Sequence, residues 1–115
     1  PLPAVEIRPN SGIYDYTARY TAGETRFITP AEVPDEVAAA CAALAVAAHT
    51  VLGLRDLSRA DIIVRPDGTP VLIETNSAPG MTETSLVPLA VEAAGDDFGL
   101  LCARLVDNAW ARHAG

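Results

Sequence analysis

The sequence predicts an α+β fold, a mostly antiparallel sheet with helices packed on it. Three observations lead there. Two β-rich runs flank Pro66-Asp67-Gly68-Thr69, which is hairpin turn chemistry. Apolar residues recur at helical spacing between Asp35 and Gly53. Two further helical patterns follow the hairpin and meet at Gly95. A length of 115 residues suits one domain, or one piece of a larger protein.

Taken in order, Pro3 to Pro9 alternates at Val5 and Ile7 and predicts a short strand. Asn10-Ser11-Gly12 is a turn, and the run to Gly23 holds all three tyrosines, Tyr14, Tyr16 and Tyr20. It is too polar for a core strand and too aromatic for a linker, so it reads as a structured loop. A second strand is expected over Thr25 to Ile28. The helix after Pro34 begins with Asp35 and Glu36 at the positive end of its dipole. Its buried stripe should be Val37, Cys41, Leu44, Ala48 and Val51, with Gly53 as the stop. His49 reads as a solvated residue near the helix end. After the hairpin, a helix is expected from about Ser85 to Ala94. The last one starts at Asp97 as N-cap, with Leu100, Leu101, Leu105, Val106 and Ala109 as its stripe.

Composition narrows the function. Eight basic residues, all arginine, stand against 15 acidic ones for a net charge of −7, which disfavours nucleic acid as a partner. No apolar run approaches the ~20 residues of a membrane span, and no signal-peptide pattern is visible. Cys41 and Cys102 lie in helical patterns far apart and read as buried free thiols of a reducing cytosol. Half of the residues are hydrophobic yet only 5% are aromatic, so an apolar face is expected to meet another domain or a dimer partner.

The hairpin carries the chemistry. With its loop centred on Asp67-Gly68, Val64 should face Val71, Ile62 should face Ile73, and Asp61 should face Glu74. Both strands are otherwise apolar on both faces, which predicts a sheet covered on both sides. Two directly opposed carboxylates repel and need compensation. Arg59 and Asn76 fall on the same face as Asp61 and Glu74. Such oxygens suit a hard cation that also touches phosphate, with Arg59 as a fixed charge for an oxyanion. An arginine–carboxylate ion-pair network would use the same residues, and spacing does not separate the two. Beyond Asn76, Pro79-Gly80 gives a tight turn whose N–H can approach a ligand, and Thr82, Thr84 and Ser85 precede a helix. An ordinary strand-to-helix connection would look alike.

The runs YDYTARY, SRADIIV, LIETNSAPGMTETSLVP and AAGDDF, in this order and at this spacing, resemble the C-terminal part of the D-alanine–D-alanine ligases, a family of ATP-grasp enzymes. The resemblance covers nearly the whole chain and implies the C-terminal lobe of an ATP-grasp fold over residues 1–115. Residues 57–76 would form its metal-bearing hairpin and 13–23 its active-site closing loop. It implies Asp61, Glu74 and Asn76 as ligands of two magnesium (or manganese) ions, with Glu74 bridging them. Arg59 and the Gly80 N–H would stabilise an oxyanion, and Ser85 and Leu86 would hold the second D-alanine. Tyr20 would stand at the loop's active-site tip, with Arg19, Ile63, Ile73 and Glu74 near the nucleotide.

The implied reaction joins two D-alanines in the cytoplasm for peptidoglycan synthesis, with ATP as co-substrate and an acyl phosphate between two steps. The tyrosine loop favours dipeptide over D-alanyl-D-lactate. Two positions depart from the family pattern: Arg19 replaces a usual lysine, keeping charge but not geometry, and Ile13 stands where an aromatic is more usual. The family's N-terminal and ATP-lid domains are not in the chain, and a lysine-free sequence lacks the lid's phosphate-binding lysines. The chain is therefore expected to be a lobe that is inactive alone. Another ATP-grasp carboxylate–amine ligase, or a non-catalytic module derived from such a lobe, are the competing expectations.

Overall fold

A β-rich segment at each end of a turn-prone stretch pairs first. In the computed structural model, which describes residues 1–13 and 23–114, β1 (Glu6–Pro9) and β2 (Thr25–Ile28) run antiparallel. Glu6 lies opposite Ile28 and Pro9 opposite Thr25. Asn10 ties the ends together: its N–H donates to the Glu24 carbonyl at 2.8 Å and its side-chain amide to the Gly23 carbonyl at 2.9 Å. The intervening loop expected over 13–23, with Arg19 and Tyr20, lies outside the described residues except at its two ends.

Helix α1 (Asp35–Val51) follows Pro34 and opens with Asp35 and Glu36 as expected. It ends in a Schellman motif, with the Leu54 N–H on the His49 carbonyl and the Gly53 N–H on that of Thr50. Gly53 takes φ +64°, a conformation glycine adopts without strain. The expected stripe holds at Val37, Cys41, Leu44 and Ala48 but fails at Val51, which is 85% exposed. Val51 is the last helical residue, at the end of the helix. Both cysteines are free and half-buried, and burial pushes the Cys41 thiol up.

The second hairpin joins β3 (Arg59–Val64) to β4 (Pro70–Asn76). Its register matches expectation near the carboxylates, where Asp61 faces Glu74 and Arg59 faces Asn76. Toward the tip it departs by one residue: Ile62 faces Leu72, Ile63 faces Val71 and Val64 faces Pro70. The turn explains the slip. The Gly68 N–H bonds the Arg65 carbonyl and the Arg65 N–H bonds the Thr69 carbonyl, while Gly68 has φ +87°. That is a three-residue loop closed by a left-handed glycine, not a two-residue one. Ile73 is left unpaired as a bulge, which restores the register at Asp61.

Helix α1 lies across β4 and its neighbour β3. Contact begins at the tip, where a Cβ on Gly68 would stand 3.4 Å from the Val37 side chain. At the far end, His49 Nδ1 is 2.7 Å from Ser58 Oγ. His49 is thus a half-buried tie between helix and strand, not a solvated helix end. On the other face Ile63 is 60% and Ile73 57% exposed, so among the described residues the sheet is covered on one side and not on both as expected.

Helix α2 (Leu86–Ala93) closes with a second Schellman motif at Gly95, and α3 (Phe98–Ala114) packs against it. The Leu100 N–H bonds Asp97 Oδ1 at 2.9 Å, the expected N-cap. Leu101 and Leu105 turn inward, whereas Leu100, Val106 and Ala109 are exposed. A single neighbouring helix covers too narrow an arc to hide the whole expected stripe. The most buried apolar side chains are Val37, Val87, Ala90 and Val91, so the core centres on α2.

The two hairpins are separate two-stranded sheets, an α+β arrangement with three helices among the described residues. The molecule is spread out. Its surface of 7913 Å² compares with about 6,000 Å² for a compact monomer of this mass. Its radius of gyration is 15.1 Å, against about 13 Å for a compact domain of this length. No helix among the described residues is long and apolar enough to cross a membrane.

A tertiary ion pair fastens α3 to the turn before β3. Asp56, at φ +59°, receives Arg112 Nη2 at 2.7 Å and Asn108 Nδ2 at 3.1 Å. The hydrogen bond from Arg112 holds the Asp56 carboxyl below its ordinary value, with Asn108 assisting. A depressed folded-state pKa contributes stability above the unfolded pKa and loses it as pH falls through the folded one. Asp56→Asn, which tolerates the same backbone conformation, should therefore lower the thermal midpoint near neutral pH by a few degrees. The gap to the unsubstituted chain should close in acid, as differential scanning calorimetry across pH will read.

Candidate active site

The bulged hairpin sets out the candidate residues in two short rows. Arg59, Asp61 and Ile63 alternate onto one face of β3, and their partners on β4 are Asn76, Glu74 and Val71. Arg59 forms a fork on Asp61, with Nε 2.7 Å from Oδ1 and Nη2 3.0 Å from Oδ2. The same Nη2 is 3.9 Å from Glu74 Oε1. One guanidinium therefore sits between two carboxylates that would otherwise repel across the strand pair. The Glu74 side chain is the most exposed of the three, at 62% against 37% for Asp61 and 26% for Arg59. Asn76 turns its Oδ1 to the Ala78 N–H at 2.9 Å, which starts the loop and leaves a second lone pair on that oxygen.

The loop continues through Pro79, which is buried, to Gly80. Here the backbone comes so close to the next helix that a Cβ on Gly80 would lie 2.7 Å from Ser85 Oγ. Only glycine fits without displacing that hydroxyl. Ser85 is the N-cap residue of α2, in extended conformation, but its side chain does not cap the helix. Its Oγ instead accepts the Thr82 N–H at 3.0 Å and lies 2.8 Å from Thr82 Oγ1. The first backbone N–H groups of α2 are consequently not taken by a side-chain cap. Leu86 begins the helix beside them.

All the described candidates border one large open space that also runs along α1, α3 and the first hairpin: Arg59, Asp61, Glu74 and Asn76 from the second hairpin, Gly80, Ser85 and Leu86 from the loop and helix, and the apolar Ile63 and Ile73. Arg19 and Tyr20 lie outside the described residues. Thr82, one of the hydroxyl residues expected before α2, positions the Ser85 hydroxyl. One side chain that supports the site has no signal in the sequence. Ser58, next to Arg59, is held by His49, and no spacing rule links a helix end to a strand start in this way.

The donor set bears on a cation. No three His, Cys, Asp or Glu side chains converge among the described residues. Two carboxylates and one amide oxygen remain, all hard oxygen donors, on adjacent strand positions. That set fits magnesium or manganese, which keep several ligands from water and phosphate and take few from protein. It does not fit zinc or another metal that prefers nitrogen and sulfur.

Comparison with known proteins identifies the family of the chain. The family model described as D-ala D-ala ligase C-terminus matches residues 2–107. The D-alanine–D-alanine ligase of Anaeromyxobacter sp. (strain Fw109-5) is 49% identical over 108 residues, which are 94% of this chain and 35% of that protein. That of Moorella thermoacetica is 48% identical over the same length and the same shares. Among solved structures, the Bacillus anthracis D-alanine–D-alanine ligase superposes with a TM-score of 0.79 at 29% identity, over 99% of this chain and 38% of that one. The same enzyme complexed with ATP gives 0.77 at 26% identity, over 99% and 36%. The chain spans about a third of the length of the relatives it matches. With the model matched over nearly its whole length, the protein belongs to the family of D-alanine–D-alanine ligase C-terminal domains.

Proposed function

We propose that this chain is the catalytic lobe of an ATP-dependent ligase that joins two D-alanines for peptidoglycan synthesis, and so serves cell-wall formation and cell shape. The observation that carries the reading is the cluster of Arg59, Asp61 and Glu74, which borders one open space with the Gly80–Ser85 turn. In the first step, a carboxylate oxygen of one D-alanine attacks the γ-phosphorus of ATP, giving an acyl phosphate and ADP. In the second, the amine of the other D-alanine attacks the acyl carbon, loses a proton, and inorganic phosphate departs with the C–O bonding pair. Asp61, Glu74 and Asn76 would hold two magnesium or manganese ions, which when bound neutralise charge on the moving phosphoryl group.

The remaining roles belong to the protein's own groups. The Arg59 guanidinium and the Gly80 N–H meet the oxyanion that forms as the amine adds. Ser85 Oγ and the N–H groups at the start of α2, with Leu86, receive the carboxylate of the second D-alanine. Ile63 and Ile73 give the adenine ring an apolar wall. Tyr20 and Arg19, in the closing loop, cover the reacting groups and the γ-phosphate and favour an amine over a hydroxyl acceptor. The reading places the enzyme in the cytoplasm, with its remaining domains, and in a homodimer, against the exposed apolar surface.

Glu74→Gln in a ligase carrying this lobe should lower kcat by on the order of a thousandfold, the equivalent of several kcal/mol of charge stabilisation, with the melting profile unchanged. Turnover like that of the parent would remove the metal assignment. Gly80→Ala should push the Ser85 hydroxyl off Thr82 and raise KM for the second D-alanine roughly tenfold, about one hydrogen bond, while KM for ATP stays put. The isolated 115-residue chain should release no ADP from ATP and D-alanine in a coupled assay. Sustained release would show that the lobe needs no further domain.

A further inference from the structure

The Arg59–Asp61 fork bears on how the site is loaded. Both Asp61 oxygens are engaged by one guanidinium, at 2.7 and 3.0 Å, and its Nη2 leans toward Glu74 at 3.9 Å. Together Arg59, Asp61 and Glu74 carry a net charge of about one negative unit, where the two opposed carboxylates alone would carry two. Arg59 thus fills electrostatically the place that a divalent cation would take. The two cations compete, because an Asp61 oxygen bonded to a doubly charged ion cannot keep the guanidinium as close without strong like-charge repulsion.

We infer that Arg59 is the internal counter-cation of the site, held on Asp61 until a divalent ion displaces it, so that the guanidinium turns to the reacting carbonyl only once metal is in place. This inference rests on the metal reading proposed above. Glu74 and Asn76 are the points of entry, since the Glu74 side chain is the most exposed of the cluster and its contact with Arg59 is the longest. By linkage, the fork weakens metal binding by the same factor by which metal weakens the fork. An empty site then keeps its arginine away from substrate, and the acyl-transfer machinery assembles only when the phosphoryl-transfer machinery is loaded.

The test uses binding and not turnover, because Arg59 is also placed at the oxyanion. The side-chain Nε–H resonance of Arg59, assigned by its loss in Arg59→Lys, is followed by NMR as magnesium chloride is added to this chain without nucleotide. In parallel, manganese binding is measured by electron paramagnetic resonance for the unsubstituted chain, Arg59→Met and Glu74→Gln. The Arg59 resonance should shift with the same midpoint as metal binding. Arg59→Met should bind manganese about tenfold more tightly, within the usual range of coupling between two ligands, and Glu74→Gln should lose binding. Metal binding that Glu74→Gln abolishes, with the Arg59 resonance unmoved and Arg59→Met no tighter, would overturn the displacement and leave the metal site standing. No binding at millimolar ion by either the unsubstituted chain or Arg59→Met would overturn both.

Discussion

The arrangement of the whole site depends on Asp61 lying directly opposite Glu74 across β3 and β4. A strand has a side-chain period of two, so a slip of one residue would send one of these carboxylates to the α1 side of the sheet. The turn by itself does not prevent this. Its three-residue loop with Gly68 in the left-handed region sets pairs at the tip that are offset from those at Asp61. The bulge at Ile73 takes up that offset in a single step. It also leaves Ile73 outside the ladder and 57% exposed, beside Ile63 on the open face. One irregularity therefore sets both the carboxylate pair and the apolar wall next to it.

Helix α1 holds this geometry from behind. It meets the tip where Val37 approaches Gly68 and the base where His49 meets Ser58, one residue before Arg59. Among the described residues the opposite face has no such cover, which accounts for the mismatch between composition and core. Half of the residues are hydrophobic, yet among the described residues the buried aliphatic side chains are only Val37, Val87, Ala90 and Val91, the last three on α2. The surface beyond that of a compact monomer, about 1,900 Å², exceeds the ~800 Å² that one partner contributes to a standard protein interface. A chain spanning about a third of its relatives would carry such a surface if the remaining two-thirds pack on it.

Local signals in the sequence accounted for the second strand, the helix bounds and the caps, while the first strand, expected from Pro3, begins only at Glu6. Gly53 and Gly95 close their helices, Asp97 caps α3, and β2 has the bounds expected of it. The face shared by Arg59, Asp61, Glu74 and Asn76 was legible too, because alternation along a strand survives whatever packs on it. Less visible was anything that needs two distant pieces of chain. The tip register depends on whether Pro66-Asp67-Gly68 closes as a three-residue loop, and the same letters allow a two-residue one. Burial at Ile63, Ile73, Val51 and Leu100 depends on which neighbour is present, and an apolar side chain reads alike beside a core, a ligand or another domain. The tie between His49 and Ser58, and the reach of Arg112 to Asp56, are tertiary facts with no local signature.

The absence of lysine from the chain takes on a meaning at position 59. A lysine there would offer one point charge on a flexible stem, and could neutralise Asp61 without fixing its plane. The guanidinium fork fixes it, since two parallel bonds orient the carboxylate as well as holding it. Orientation matters because Asp61 stands directly opposite Glu74, a like charge. A guanidinium is charged throughout the ordinary pH range, so the oxyanion role proposed for Arg59 would ask for no change of protonation. The proposed displacement would move the side chain alone. The strand that carries it stays fixed, by its ladder to β4 and by the His49 contact at its base.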